Sequence, residues 1–182
     1  MLSTFVHVKD IPFDLPLIAI MRRLGGKMSD SVQTGMVIPV AERVFAECRP
    51  SGLWGELSIV DNDGNMVDLS DGTRIDSKSV AGFLSGATRC WLGVVTIGTG
   101  PLNIVRQYVE SDDGANALIA DAAASECVEA AMESMQAMAS LDYQAAGVVL
   151  DHRRFSCGFG GWRLEEQRHY FEWLPLQEKL QI

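Results

Sequence analysis

Residues 154–167 read "RFSCGFGGWRLEEQ", an arginine followed by alternating aromatic and small residues, with three glycines inside the four positions 158–161. Extended to His152 the stretch becomes "HRRFSCGFGGW", so that much backbone freedom stands beside two arginines. Glycine serves positive φ or the close approach of a backbone to something else, and arginine grips carboxylate or phosphate with a planar fork. Together they describe a loop wrapped around an anionic or zwitterionic ligand. A surface turn with solvated arginines is the competing reading.

The flanks suggest how the loop is held. "AAGVVL" at 145–150 has the composition of a strand that delivers the chain to the loop. "RLEEQRHYFEWL" after it has the period of an amphipathic helix, with Leu164, Gln167, Tyr170, Phe171 and Leu174 on the inner face. Upstream, residues 114–140 form the longest helix candidate, with Leu118, Ala122, Val128, Met132, Met135 and Met138 at helical spacing. Its alanines either permit close approach of a neighbour or simply favour helix.

Nearer the start, Asp14 is placed to cap a helix over Leu15–Leu24, with Leu17, Ile18 and Met21 on one side and Gly25-Gly26 ending it. A second helix follows a Ser29/Asp30/Ser31 cap toward Cys48, kinked or split at Pro39, with Val44, Phe45 and Cys48 facing the core. From Leu53 the period changes. "LWGELSIV", the "DNDGN" turn and "MVDLS" alternate as a β-hairpin. "SKSVAGFLSGA" suits a short helix, "CWLGVVTIG" a buried strand, and "TGPLNIVRQYVE" a turn into a helix with Pro101 in its first turn. No repeat or linker interrupts the pattern, which is that of one α+β domain over residues 1–182.

The chain has 182 residues, enough for one sizeable core. A net charge of −9 argues against nucleic acid or an anionic membrane as partner. No run of about 20 apolar residues occurs, so no transmembrane helix is expected. Between Gln107 and His152 there are acids but no Lys or Arg, the pattern of a solvated acidic helix face. The start lacks the build of a signal peptide, and Cys48, Cys90, Cys127 and Cys157 show no zinc spacing. Reduced thiols in a cytoplasmic protein are therefore expected.

Most chemical motifs fail. Gly98-x-Gly100 is half a dinucleotide fingerprint with Asn103 where the third glycine belongs, against the alternative of an ordinary strand-to-helix turn. His7, His152 and His169 have no metal spacing, and Ser125 with Asp121 lacks a histidine for a triad. Cys157, beside arginines that would lower its pKa, is the best nucleophile candidate, weighed against a small apolar residue in a tight loop. Catalytic and metal residues are therefore not assigned. The loop alone remains, with Arg154 for a carboxylate and the glycine amides for close contact.

The stretch Arg154–Gln167 resembles the Arg-x-x-Pro-Gly-Tyr loop and following helix of the activation domain of cobalamin-dependent methionine synthase, in its stand-alone bacterial form. "LIAIMRRLGGK", "GVVTIGTG" and "LIADAAASECVEAAMESMQ" fit the same pattern. The resemblance implies an α+β fold with a twisted antiparallel sheet and flanking helices. It implies binding of S-adenosylmethionine through Arg154, Ser156, Cys157, Gly158 and Phe159. Arg154 would hold the ligand's carboxylate, Ser156, Cys157 and Gly158 would give backbone contacts, and Phe159 would stand for the family tyrosine. The family's domain docks on the cobalamin-carrying protein in its cob(II)alamin state and offers a methyl group while a flavodoxin- or ferredoxin-type reductant supplies an electron. The partner would be a cobalamin-binding methionine synthase or another corrinoid protein, and the chain an accessory rather than a complete enzyme. Cys157 replaces the family proline, and "LPLQEKLQI" stands where the family continues into a further strand. A shortened chain or a site open on one side is expected, and a docking module that has lost the ligand is the alternative.

Overall fold

The Asp63-Gly64 pair sets the sheet. Gly64 adopts φ +85°, the Asp63 carboxylate accepts the N–H groups of Asn65 and Met66, and the chain reverses as the sequence predicts. In the computed structural model, which describes residue 2 and residues 4–26 and 31–182, this turn joins strands β2 (Ser51–Asn62) and β3 (Met66–Leu69). They pair antiparallel with Ile59 opposite Leu69 and Asn62 opposite Val67, and a bulge at Val60. Strand β4 (Arg74–Asp76) pairs antiparallel with β3, putting Ile75 opposite Val67. With β1 (Val6–Lys9) and β5 (Arg89–Thr96) the order is β1-β2-β3-β4, and β5 pairs with β2. Flanking helices complete an α+β fold with an open antiparallel sheet.

The chain forms two compact units. The sheet unit comprises residues through His7, 53–94 and 139–182; the helical unit comprises 8–52 and 95–138. In the sheet unit, alternation turns Leu53, Leu57, Val67, Leu69, Ile75, Cys90 and Leu92 inward, and Trp162, Trp173 and Leu174 join this core. All four tryptophans, Trp54, Trp91, Trp162 and Trp173, belong to this unit. Helix α3 (Lys78–Phe83) starts at Ser77, whose hydroxyl accepts the Val80 N–H.

In the helical unit, α1 (Leu17–Arg23) begins two residues later than predicted. Pro16 occupies its N-cap and no side chain caps it, so Asp14 has no capping role. Met21 is buried as expected, but Ile18 is 65% exposed and Ile20 is buried instead. Helix α2 (Ser31–Ala46) runs uninterrupted through Pro39 rather than splitting there. The predicted cap at Ser29 and Asp30 lies outside the described residues. Val44 and Cys48 are buried as expected. Helix α4 (Gly100–Glu110) carries Pro101 in its first turn, and the core gathers Ile20, Val37, Val44, Ile104, Ala120 and Ala123.

Helix α5 (Gly114–Ala145) is the long helix, 32 residues. Its buried seam overlaps the predicted one only in part. Ala120, Ala123, Cys127, Ala131, Met135 and Ala139 are fully buried, with Ala122 and Met135 inside as expected, whereas Leu118 is 63% exposed and Met138 39%. Small residues take most of the inner positions because they let neighbouring elements approach closely.

No strand forms at 145–150. The helix continues to Ala145, Gly147 adopts φ +73°, and the Val148 N–H returns to the Tyr143 carbonyl. That closes the helix in the manner of a glycine C-cap and leaves Val149 exposed without a sheet partner. The segment after the loop is a 3-10 turn (Leu164–Gln167) followed by α6 (Arg168–Trp173). Its inner residues are Glu166, Tyr170, Trp173 and Leu174; Leu164, Gln167 and Phe171 face outward. A further helix, α7 (Leu176–Leu180), follows Pro175.

Candidate functional site

The loop is mounted on a ladder of aromatic rings, all within the sheet unit. Phe155 packs on Phe83 of α3 with centroids 5.5 Å apart, then on Trp162 at 6.2 Å. Trp162 meets Tyr170 at 6.5 Å, and Tyr170 meets Trp173 edge-on at 5.3 Å. Such pairs anchor beyond simple area burial. At the loop's entry the Asp151 carboxylate accepts the Arg153 backbone N–H and two guanidinium bonds. That pair holds the Asp151 carboxyl far below its ordinary value and lays the Arg153 guanidinium over the Phe83 ring.

The turn itself is closed by three backbone bonds. Gly158 N–H donates to the Trp162 carbonyl at 2.7 Å, Trp162 N–H to the Phe159 carbonyl at 2.9 Å, and Phe159 N–H to the Ser156 carbonyl at 3.3 Å. Gly158, Gly160 and Gly161 adopt φ of +90°, +52° and +81°, the left-handed region that costs other residues energy. Gly160 is also close-packed: a Cβ there would stand 2.7 Å from Phe155 Cζ and 3.2 Å from Ser79 Cβ.

Of the five residues singled out in the sequence, Arg154, Ser156, Gly158 and Phe159 are exposed on this loop, Phe159 at 69%, and Cys157 is buried beneath them. Arg153 is taken up by Asp151 and Phe83, and Arg163 by Glu166. Burial pushes the Cys157 thiol up to about 11, and Glu166 adds to the shift. The expectation that arginines lower it fails, because the thiol points into the core rather than toward them. Cys157 is a packed apolar residue. The Trp162 indole N–H is buried without an acceptor.

Phe83, Trp162 and Tyr170 support the loop, and of these only Tyr170 was expected to face inward. The spacing of Trp162, Glu166, Tyr170 and Trp173, every three or four residues, carries that signal. Phe83 lies too far along the chain for any local pattern to reveal it.

Two clefts lie elsewhere in the sheet unit. One, about 590 Å³, is polar and includes Asp71, Arg74, Glu166 and His169. There His169 bridges Glu166 and Glu172 at 3.0 and 2.9 Å and stacks on Trp173, whose indole donates to Asp71. The other, about 700 Å³, contains Trp54, Glu56, Arg89 and Tyr143. Tyr143 donates to Glu56 at 2.7 Å, and burial with that bond raises its phenol well above the ordinary range. Among the described residues no group of three His, Cys, Asp or Glu could hold a metal, and no helix is long and apolar enough to cross a membrane.

In the helical unit the Gly98-x-Gly100 turn packs against protein. A Cβ at Gly100 would stand 2.6 Å from the Glu47 carbonyl oxygen, and one at Gly98 3.3 Å from Arg49 Cβ. These glycines seat the start of α4 on the end of α2, which favours the ordinary strand-to-helix turn over the dinucleotide reading.

No family model and no curated protein sequence matches the chain. A solved structure does: the MetH reactivation domain bound to AdoHcy is similar with a TM-score of 0.65 at 13% sequence identity, over 98% of this chain and 72% of that one. The α+β architecture expected from the loop is therefore present, and the chain carries the fold of the MetH reactivation domain.

Proposed function

We propose that this protein is an S-adenosylmethionine-binding module that supports reductive methylation of cob(II)alamin on a cobalamin-dependent methionine synthase or related corrinoid protein. It acts as an accessory to that methyltransferase, as one activation-domain-like domain of a cytoplasmic protein, with a flavodoxin- or ferredoxin-type reductant supplying the electron. The observation that carries the reading is a reactivation-domain fold, in a likeness solved with AdoHcy, combined with an exposed loop holding Arg154, Gly158 and Phe159. In this reading Arg154 takes the methionine carboxylate, Phe159 offers a flat apolar ring, and Gly158 allows close approach of the ligand to the backbone. Ser156 and Cys157 contribute main-chain atoms. The ligand supplies the methyl group, and the protein's share is to bind and orient it.

Calorimetric titration with S-adenosylmethionine and S-adenosylhomocysteine tests the assignment. Saturable binding by the wild-type protein, weakened at least about tenfold in Arg154→Ala, is expected, the loss of one charge-assisted pair. Absence of heat at millimolar ligand sinks it.

A second reading, a docking module for a corrinoid protein that has lost the ligand, is favoured by one observation: the Gly158 amide is already bonded to Trp162. Co-purification with a cobalamin protein without S-adenosylmethionine, together with a flat titration, selects that reading.

A further inference from the structure

The two chain neighbours of Arg154 converge on a single ring. Arg153 sets its guanidinium carbon 5.5 Å from the centroid of the Phe83 ring, and the Phe155 ring meets that same ring at 5.5 Å, tilted by 41°. Arg154 stands between them in the chain and is exposed. Arg153 is tied a second time by the Asp151 carboxylate, which accepts its guanidinium N–H at 2.7 Å and its backbone N–H at 2.9 Å. The chain is thus fastened on both sides of Arg154, and Phe83 is common to both fastenings. We propose that Phe83 is a positioning residue for the loop: by holding Arg153 and Phe155 it fixes the main chain at Arg154 before a ligand arrives, and so sets ligand affinity without touching the ligand.

The ring stands on a firm base. Phe83 is the last residue of α3, whose Val80 and Ala81 are buried in the sheet unit's core. The Ser77 hydroxyl accepts the Val80 N–H at its start, and the Asn62 side chain at the end of β2 donates to the Ala81 carbonyl at 3.0 Å. Among the described residues the aromatic and cation contacts of Phe83 both lie on the loop. Phe155, by contrast, also packs against the core and against Trp162. Helix α3 reaches the glycine tip as well, since a Cβ at Gly160 would stand 3.2 Å from Ser79 Cβ. Entry and tip of the loop therefore rest on one short helix.

Two consequences follow for binding. A loop with three glycines has many backbone conformations, and a ligand that must select one of them binds more weakly by the ordering it imposes. Holding Arg153 and Phe155 in the free protein removes part of that penalty. The clamp also commits Arg153 to Asp151 and Phe83, so two adjacent arginines do not compete for one carboxylate. The effect on affinity rests on the reading that this loop binds S-adenosylmethionine, whereas the effect on the loop's conformation does not.

Two measurements on the full chain test the clamp. In the first, native protein without ligand is exposed to trypsin, and nicking after Arg153 and Arg154 is timed by mass spectrometry. Phe83→Ala removes a ring pair and a cation–π contact and should be nicked at least about tenfold faster than wild type. Phe83→Tyr keeps the ring and should be nicked at about the wild-type rate. In the second, calorimetric titration with S-adenosylmethionine should show affinity about tenfold lower in Phe83→Ala and restored in Phe83→Tyr. The Phe83→Ala/Arg154→Ala double variant should bind no more weakly than Arg154→Ala alone, because the ring acts through Arg154. A purely structural loss would instead add to that of Arg154→Ala. Phe83→Leu keeps an apolar side chain without the ring, and carries the same expectations at about threefold if Phe83→Ala does not fold.

Wild-type nicking rates in Phe83→Ala and Phe83→Leu, or additive losses in the double variant, overturn the proposal. A flat wild-type titration overturns the S-adenosylmethionine reading and the effect on affinity with it, while the nicking rates still decide whether Phe83 holds the loop.

Discussion

The Gly158 amide donates to the Trp162 carbonyl across 2.7 Å, so the tip of the loop is closed by its own backbone while Phe159, Gly160 and Gly161 between them stand in solvent. The shape of the loop thus depends on its glycines and not on a bound molecule. Gly161→Ala meets open space at φ +81° and should cost only the left-handed strain, about 1–2 kcal/mol. Gly160→Ala adds the clash with Phe155 and Ser79 and should cost about 1–3 kcal/mol more. Chemical denaturation of the two variants checks the order, and an equal cost would mean that Phe155 yields freely.

Phe159→Tyr returns the hydroxyl that the resemblance places at this position. If the loop is the S-adenosylmethionine site, the variant should bind more tightly by about 0.5–1.5 kcal/mol, one hydrogen bond. Parallel calorimetric titrations read the difference. A weaker or unchanged affinity removes Phe159 from the site.

Asp71 gives a pH signature. Burial raises its carboxyl, but the bonds from Thr73 and the Trp173 indole outweigh that and hold it below its ordinary value of 3.8. A carboxyl depressed on folding contributes stability that is present above the unfolded pKa and lost as pH falls through the folded one. Asp71→Asn should therefore be destabilising at pH 7, with the difference from wild type shrinking as the pH falls below the ordinary value of 3.8. Melting curves across that range decide it, and a pH-independent difference would show that charge has no part.

The raised thiols predict alkylation rates. A folded pKa of about 11 for Cys90 and Cys157 against the ordinary 9.0 leaves about a hundredfold less thiolate at pH 8. Iodoacetamide should modify both at least that much more slowly in the native protein than in urea. Because the thiol is favoured on folding, their contribution to stability is present below the unfolded pKa and is lost as pH rises from about 9 toward 11.

On α5, Ala123→Leu forces a larger side chain into a fully buried position and should destabilise by about 1–3 kcal/mol or more. Leu118→Ala, at an exposed site, should fall within about 0.5 kcal/mol of wild type. Circular dichroism of thermal unfolding separates them. The reverse order would return the buried face to the leucine.

These faces show what local sequence can and cannot reveal. The hairpin at Asp63-Gly64 and the end of α1 at Gly25 follow from short-range backbone chemistry, and both are present. The seam of α5 was legible only at Ala122 and Met135, because apolar size normally marks the inward face, while here alanine fills most of the inner positions. The strand at 145–150 failed for want of a partner: Val148 and Val149 have strand composition, but a strand exists only where another strand pairs with it. For the loop, glycine spacing disclosed the backbone conformation. The burial of Cys157 is in no local window, because Trp162 and Tyr170 lie close by in the chain while Leu53, Val67 and Ile75 of the same core come from far along it.

The placement of the tryptophans has a practical consequence. Because every indole lies in the sheet unit and none in the helical unit, indole emission observes the core on which the loop is mounted. A fluorescence change on adding S-adenosylmethionine therefore reports on the unit that carries the loop, and the native chain supplies that optical label itself.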